Sequence, residues 1–374
     1  MTLRKSTLAF LLYYLCGLFI VVVAESVLPE KYFIDSNRIV ERIISGDVGL
    51  GSSDLATAAL YRTLTLGAVP PRWIIGAINY TVAIALLLAV YRVANVKWSY
   101  RPLIILAIWC MLVAIYLGAY SKELFTFVLS GVVIWYIHRP SVRRFVVAMA
   151  LLLAYGLAVR QYWLLILAFA VSCYVVIRLQ VHVIAKIAAI SVILMIMSVG
   201  VKVATGMYLT DLRILLTAPR VGSPDAVTIV FNAVANTSTL TDVINLLIAW
   251  ASFMVPLSLF RTAAPQHIMF AIWQIVNVTI VFMYYLRLRR KKVWAGLPSV
   301  DRKKLAMIGS YLLAVTLVHA GFEGDYGSYV RHQISVVPVL LYFLVRYKSA
   351  DTGQLAYRNA PLAPYGRNES REAP

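Results

Sequence analysis

LAMIGSYLLAVTLVHAGFEGDYGSYVRHQISVVPVLLYFLVRY, residues 305–347, sets two apolar runs on either side of a polar island. The runs, 305–320 and 333–347, have the composition of bilayer spans. The island, HAGFEGDYGSYVRHQ at 319–333, packs Glu323, Asp325, Ser328, Arg331 and His332 into the length of a tight turn. A linker that only reverses the chain needs a few small polar residues. Two carboxylates, an arginine and a histidine at a membrane boundary are costly to desolvate, so the island reads as the chemical centre of the chain.

Outward from this point the same pattern recurs. The 374 residues are 61% hydrophobic and 14% charged, against roughly 45–50% and about 25% in soluble domains. Mean hydropathy is +0.80. The expected fold is all-α, a polytopic membrane helix bundle. Hydropathy predicts about ten spans, at 8–27, 73–93, 102–119, 124–138, 145–159, 163–178, 187–204, 268–286, 305–320 and 333–347. Arg4 and Lys5 before the run Leu8 to Ala24 read as an uncleaved signal anchor. Residues 1–348 form one membrane domain with two longer outer loops, 28–72 and 205–242, and 349–374 read as a disordered cytoplasmic tail.

Formal net charge is +19. In a soluble protein that would suggest nucleic acid, but here much of it lies in short loops, as positive-inside topology requires. Arg4 and Lys5, Lys97 and Arg101, Arg139, Arg143 and Arg144, Arg178 and Lys186, RLRRKK at 287–292, and Arg302 to Lys304 then fall inside. The apolar segment 243–260 would reverse that order if it crossed, so it is expected to be re-entrant or to lie along the outer surface. Cys16, Cys110 and Cys173 sit in apolar runs and read as small core residues, with no disulfide and no metal site.

The outer side collects Arg38, Arg42, Arg62, Arg72, Arg160, Arg213, Arg220 and Arg331, with Lys31 and Lys122. Most of those in loops are expected to be solvated or salt-bridged, because long loops translocate whatever their charge. In NRIVERIISG, 37–46, Ile39, Ile43 and Ile44 share one helical face, which predicts a surface helix. Arg160 and Arg331 sit instead at span edges with little loop around them. Arg160 lies in LAVRQYWLL, where it either snorkels to lipid phosphate or points inward to a ligand. In AYSKELF, 119–125, Lys122 and Glu123 form a local ion pair or join a site, and Ser121 can cap the following span. In the island, Asp325 or Ser328 can cap the last span, with Arg331 and His332 one turn inside it, forming an anion site. The plainer alternative is a helix cap plus an Arg–carboxylate pair that ties two spans together.

Metalloprotease, paired CxxC, GxSxG, Walker and Rossmann signatures are all missing. Metal-dependent hydrolysis, serine acyl transfer and ATP-driven transport lose support accordingly.

GFEGDYGSYVRHQISVVP at 321–338, YSKELF at 120–125 and VRQYW at 159–163 together resemble bacterial polysaccharide repeat-unit polymerases of the Wzy type. The resemblance rests on these three short motifs and the layout of the whole chain. It implies a GT-C-like architecture in the bacterial inner membrane that needs no cofactor, metal or nucleotide sugar. It further implies a partner, an undecaprenyl-diphosphate-linked oligosaccharide, whose glycan is transferred at the periplasmic face to the sugar end of another lipid-linked unit. A chain-length regulator protein is a further implied partner; nucleic acid is not. By motif position Arg331 and Arg160 would hold the diphosphate leaving group, with Lys122 and Glu123 as further candidates. His332, Asp325 or Glu323 would orient or deprotonate the acceptor hydroxyl, and Tyr120, Tyr162, Tyr326, Ser328, Arg220 and Arg38 would contact substrate.

Two other readings stay open. A GT-C enzyme using a polyprenyl-phosphate sugar would place its catalytic acid in the first outer loop, which holds Glu30, Asp35, Glu41, Asp47 and Asp54; an O-antigen ligase is a neighbouring possibility. A transporter or flippase without chemistry is less favoured, because the halves show no symmetry and the charges gather at one face.

Overall fold

The computed structural model describes residues 5–50, 52–94, 100–218, 228–262, 264–289 and 297–347. Arg220, Lys97, part of RLRRKK and the predicted tail lie outside them. Among the described residues every regular element is a helix, and no strand forms beyond an isolated bridge between Ile229 and Asp325.

In chain order the α-helices are α1 Lys5–Val27, α2 Ile34–Ser45, α3 Ser53–Leu64, α4 Arg72–Ala94, α5 Tyr100–Leu117, α6 Glu123–His138, α7 Val142–Ala158, α8 Tyr162–Arg178, α9 Val183–Thr205, α10 Leu209–Thr217, α11 Thr239–Met254, α12 Pro265–Arg289, α13 Ser299–Phe322, α14 Tyr326–Gln333 and α15 Val337–Tyr347. Six stretches are long and apolar enough to cross a bilayer: Thr7–Val27, Arg72–Ala94, Val183–Thr205, His267–Leu288, Ser299–Phe322 and Tyr326–Arg346. Four shorter apolar helices accompany them, Ile105–Leu117, Glu123–His138, Tyr162–Arg178 and Thr239–Met254. The chain is a multi-pass helical membrane protein. Fewer than the expected ten stretches reach full spanning length, because several predicted spans are helices of only 16 or 17 residues.

Side-chain caps mark several helix starts. Ser52, Ser141 and Ser238 accept from the backbone N–H groups of Leu55, Arg144 and Thr241, and Ser238 and Thr241 complete a capping box. Gly46 and Gly206 close α2 and α9 in the left-handed conformation that favours glycine. The last span is the buried centre of the bundle, and α13 packs along α8.

Four details differ from the sequence reading. The island is not a turn: α13 runs to Phe322 and α14 starts at Tyr326, so only Glu323, Gly324 and Asp325 lie between helices. His319 lies within α13, whereas Arg331 and His332 lie inside the helix capped by Asp325, as the sequence predicts. Helix α2 buries Ile39 and Ile43, but Ile44 is 71% exposed, because two adjacent residues stand about 100° apart on a helix. Cys16 is exposed rather than core, whereas Cys110 and Cys173 are buried. The 205–242 region contains α10, whose Arg213 is fully buried, donating to Ala320 O and to Asn232 Oδ1.

Segment 243–260 is helical over most of its length, and both flanks touch the same end of the bundle. Before α11, Asn236 donates to Thr210 and Asp211; in its last turn Phe253 packs on Tyr326 and Tyr329, and after it Ser258 bonds the Tyr326 hydroxyl. The opposite end carries Asp301 facing Arg346 and His138 bonded to Tyr342.

Candidate functional site

Glu123, the first residue of α6, is the hub. Its placement begins in the outer loop, where the apolar faces of α2 and α3 form a small cluster of Ile39, Ile43, Ala58 and Tyr61 with Ile75 and Tyr120. Within it the Tyr61 hydroxyl donates to Ser121 O and accepts from Ser121 N, both at 3.1 Å, and from Asn79 Nδ2 at 2.9 Å. That fixes the turn before α6. Ser121 Oγ then accepts from Glu123 N at 3.3 Å and donates to Glu123 Oε2 at 3.0 Å.

The other carboxylate oxygen faces two arginines from distant segments. Arg160, in the turn between α7 and α8, donates from Nη2 to Glu123 Oε1 at 2.8 Å. Arg331 Nε on α14 stands 3.5 Å from the same oxygen, and its Nη1 pairs with Asp35 of α2. Lys122 Nζ lies 2.8 Å from Asp54 and 3.6 Å from Asp35. Arg160 Nη1 also donates to the Tyr162 hydroxyl at 3.0 Å and meets His332 Nδ1 at 3.1 Å. His332 Nε2 is 2.8 Å from Glu323 Oε1.

A guanidinium can only donate, so His332 Nδ1 is the acceptor from Arg160. The ring proton of neutral His332 is then on Nε2, directed at Glu323. Burial acts to raise the Glu323 carboxyl, but His332, His319 and Arg331 overcome it and hold it at about 2. Burial likewise opposes ionisation of Asp35, and Arg331 and Lys122 hold it below the ordinary carboxylate value.

The expected cradle of open positive charge is therefore internally neutralised. Lys122, Arg160 and Arg331 face Asp35, Asp54, Glu123 and Glu323. An incoming anion must exchange with a carboxylate already bound. Among the described residues no three His, Cys, Asp or Glu side chains are grouped to hold a metal ion.

Of the residues singled out by sequence, Arg160, Arg331, His332, Glu323, Lys122, Glu123 and Tyr162 come together. Lys122 and Glu123 are not a local pair; each reaches a partner from another segment. Asp325 is the N-cap of α14, accepting from Ser328 N and Ser328 Oγ, both at 2.9 Å, so cap geometry engages both of its oxygens and the Ser328 hydroxyl. Tyr120 is buried and donates to Pro70 O, and Tyr326 is buried against Phe253 with its hydroxyl on Ser258. Both side chains pack inside the bundle with their hydroxyls bonded to protein. Arg38 is exposed on α2. Arg220 lies outside the described residues.

Sequence reasoning missed three members. Asp35 and Asp54 were weighed only for a rival chemistry, and the expectation of an inert surface helix for α2 is corrected by the Asp35 pair with Arg331. His319 is four residues before Glu323 on α13, a spacing that stacks it beneath the acidic turn. No family model matches the chain, and no curated protein or solved structure matches it.

Proposed function

We propose that this protein polymerises oligosaccharide repeat units carried on undecaprenyl diphosphate, at the periplasmic face of a bacterial inner membrane. In this reading the chain crosses ten times, through α1, α4 to α9, α12, α13 and the pair α14–α15, and the gathered polar turns face outward. The observation that carries it is the single Glu123 oxygen shared by Arg160 and Arg331. Two guanidinium groups converging from separate turns fit a diphosphate, whose charge grows as the glycosidic bond to it breaks.

The step begins when the diphosphate of the donor exchanges with Asp35, the more exposed carboxylate, at Arg331. The acceptor hydroxyl attacks the anomeric carbon as the bond to the diphosphate oxygen breaks, releasing lipid diphosphate. Among the three candidate bases, Asp325 is held in its cap and both nitrogens of His332 are engaged. Glu323, ionised and oriented by His332, is the base we assign.

Asp35 gives the rival polyprenyl-phosphate reading a specific foothold, since a first-loop acid does reach the cluster. Because Asp35 and Arg331 form one pair, substituting Arg331 impairs both mechanisms and cannot tell them apart. The donor separates them. Purified protein in proteoliposomes should lengthen glycans from a diphosphate-linked oligosaccharide and not from a monophosphate-linked sugar. Arg160→Ala, Arg331→Ala and Glu323→Gln should each abolish extension. Activity with the monophosphate donor alone would establish the rival, and substrate movement without new glycosidic bonds would establish a transporter.

A further inference from the structure

The chain has five histidines, and four of them have a hydrogen-bonding partner for at least one ring nitrogen. His138 bonds Tyr342, His182 accepts from Ile184 N, His267 bonds Thr262, and His332 is held by Arg160 and Glu323. His319 has none: it is 1% exposed, and neither Nδ1 nor Nε2 has a partner among the described residues. Buried polar atoms are nearly always bonded, and an orphan calls for an explanation.

Packing does not supply one, since an apolar side chain would fill the same space without two unmet polar atoms. The surroundings point elsewhere. The His319 ring lies 5.1 Å from the His332 ring, tilted by 32°, and 5.6 Å edge-on from Tyr162. Tyr162 in turn stacks on Phe322 at 5.3 Å. His319 thus sits at the inner wall of the cluster, one turn below Glu323, where aromatic rings adjoin the polar groups.

A neutral imidazole presents one donor and one acceptor. A hydroxyl matches both roles; a phosphate oxygen, which only accepts, does not. Arg331 and Lys122 face the acids of the outer loop, Asp35 and Asp54, and Arg160 links them through Glu123 to Tyr162 and His332 on this aromatic side.

We propose that His319 binds a sugar hydroxyl of the glycan, making it a ligand-contacting residue that distinguishes a sugar-bearing lipid diphosphate from the bare lipid diphosphate. The assignment rests on the polymerase reading and deepens it by dividing the site into a diphosphate half and a sugar half.

The test compares wild type, His319→Leu and His319→Gln in nanodiscs, each titrated with undecaprenyl diphosphate and with undecaprenyl-diphosphate-linked oligosaccharide. Wild type should bind the sugar-bearing lipid more tightly. His319→Leu should bind the bare lipid as wild type does and lose about tenfold for the sugar-bearing one. His319→Gln, which keeps a donor and an acceptor, should recover part of that. Independently of any variant, nitrogen-15 histidine resonances of wild type should show the His319 ring shifting with the sugar-bearing lipid and not with the bare one. Equal binding by wild type and His319→Leu, or a His319 ring unmoved by the sugar, overturns the proposal while leaving the polymerase reading intact. Wild type that prefers neither lipid overturns both, and that result is read without any substitution.

Discussion

Replacing Glu123 by glutamine removes one charge and almost no volume, and it should destabilise the protein by about 3 kcal/mol. The carboxylate is 2% exposed, accepts from Arg160 at 2.8 Å and from Ser121 at 3.0 Å, and stands 3.5 Å from Arg331 Nε. Removing one partner of a buried pair typically costs about 3–5 kcal/mol, because the other charge stays buried and uncompensated. Arg160 keeps the Tyr162 hydroxyl and His332 Nδ1 as acceptors, and Arg331 keeps Asp35, so the low end of that range applies. The assay is unfolding in mixed micelles with increasing SDS, followed by tryptophan fluorescence. Arg160→Gln should cost a similar amount. The double variant Glu123→Gln/Arg160→Gln should cost less than the sum of the two singles by roughly 2 kcal/mol, since it leaves no unpaired charge from that pair. As a control, Asp47→Asn breaks the half-exposed pair with Arg42 and should cost below about 1 kcal/mol. Additive single variants, or a Glu123→Gln protein as stable as the control, would refute the hub assignment.

Three further outcomes follow from the same geometry. Glu323 has a folded value near 2 against an ordinary 4.5, so its contribution is complete above pH 4.5 and lost as pH falls toward 2; stability on the order of 3 kcal/mol should disappear over that window in wild type and not in Glu323→Gln. Gly324→Ala would drive a methyl into the Thr217 methyl, with Thr217 Cβ and Oγ1 only 3.0 and 3.1 Å away, so glycan extension should fall sharply and recover in part with Thr217→Ser. Asp35→Asn removes an anion that competes for Arg331 and Lys122, so undecaprenyl diphosphate should bind several-fold more tightly by titration in nanodiscs; weaker binding would count against carboxylate exchange.

Much of the bundle was legible because spans are written in local composition. The hydropathy of 305–347 marked two spans and a polar break without knowledge of distant segments, although the break read as 319–333 and proved to be only Glu323 to Asp325. Arg160, Glu123 and Arg331 were legible as a group because charges at short turns between spans have few places to go. Asp35 was not, since it pairs across 296 positions and its helix reads as an ordinary amphipathic surface element. What brings it to Arg331 is the seating of α2 and α3, through Ile39, Ile43 and Tyr61, on Ile75 and Tyr120, a tertiary fact with no local signature. The same seating places the Tyr120 ring against Tyr61, a contact that an interfacial tyrosine does not announce in sequence. Asp325 was legible in both of its possible roles, and only the Ser328 contacts separate them.

The neutralised cluster explains how so many ionisable groups persist at one end of a membrane bundle. Three cations left bare at that depth would each carry a desolvation penalty, whereas matched to carboxylates they hold four distant segments in one geometry. Neutralisation also constrains how ligand enters. Asp35 is 18% exposed and Arg331 26%, while Glu123 and Arg160 are nearly closed off. In the proposed exchange an anion would therefore start at the more exposed Asp35–Arg331 pair and reach Arg160 only afterward. On the proposed function, an arriving diphosphate would meet Arg331 and Lys122 first and advance as Asp35 gives way. Glu123 stays in place to keep the two arginines from repelling each other. On this view the outer loop belongs to the binding site itself, because the anion it contributes sets the affinity that the substrate must exceed.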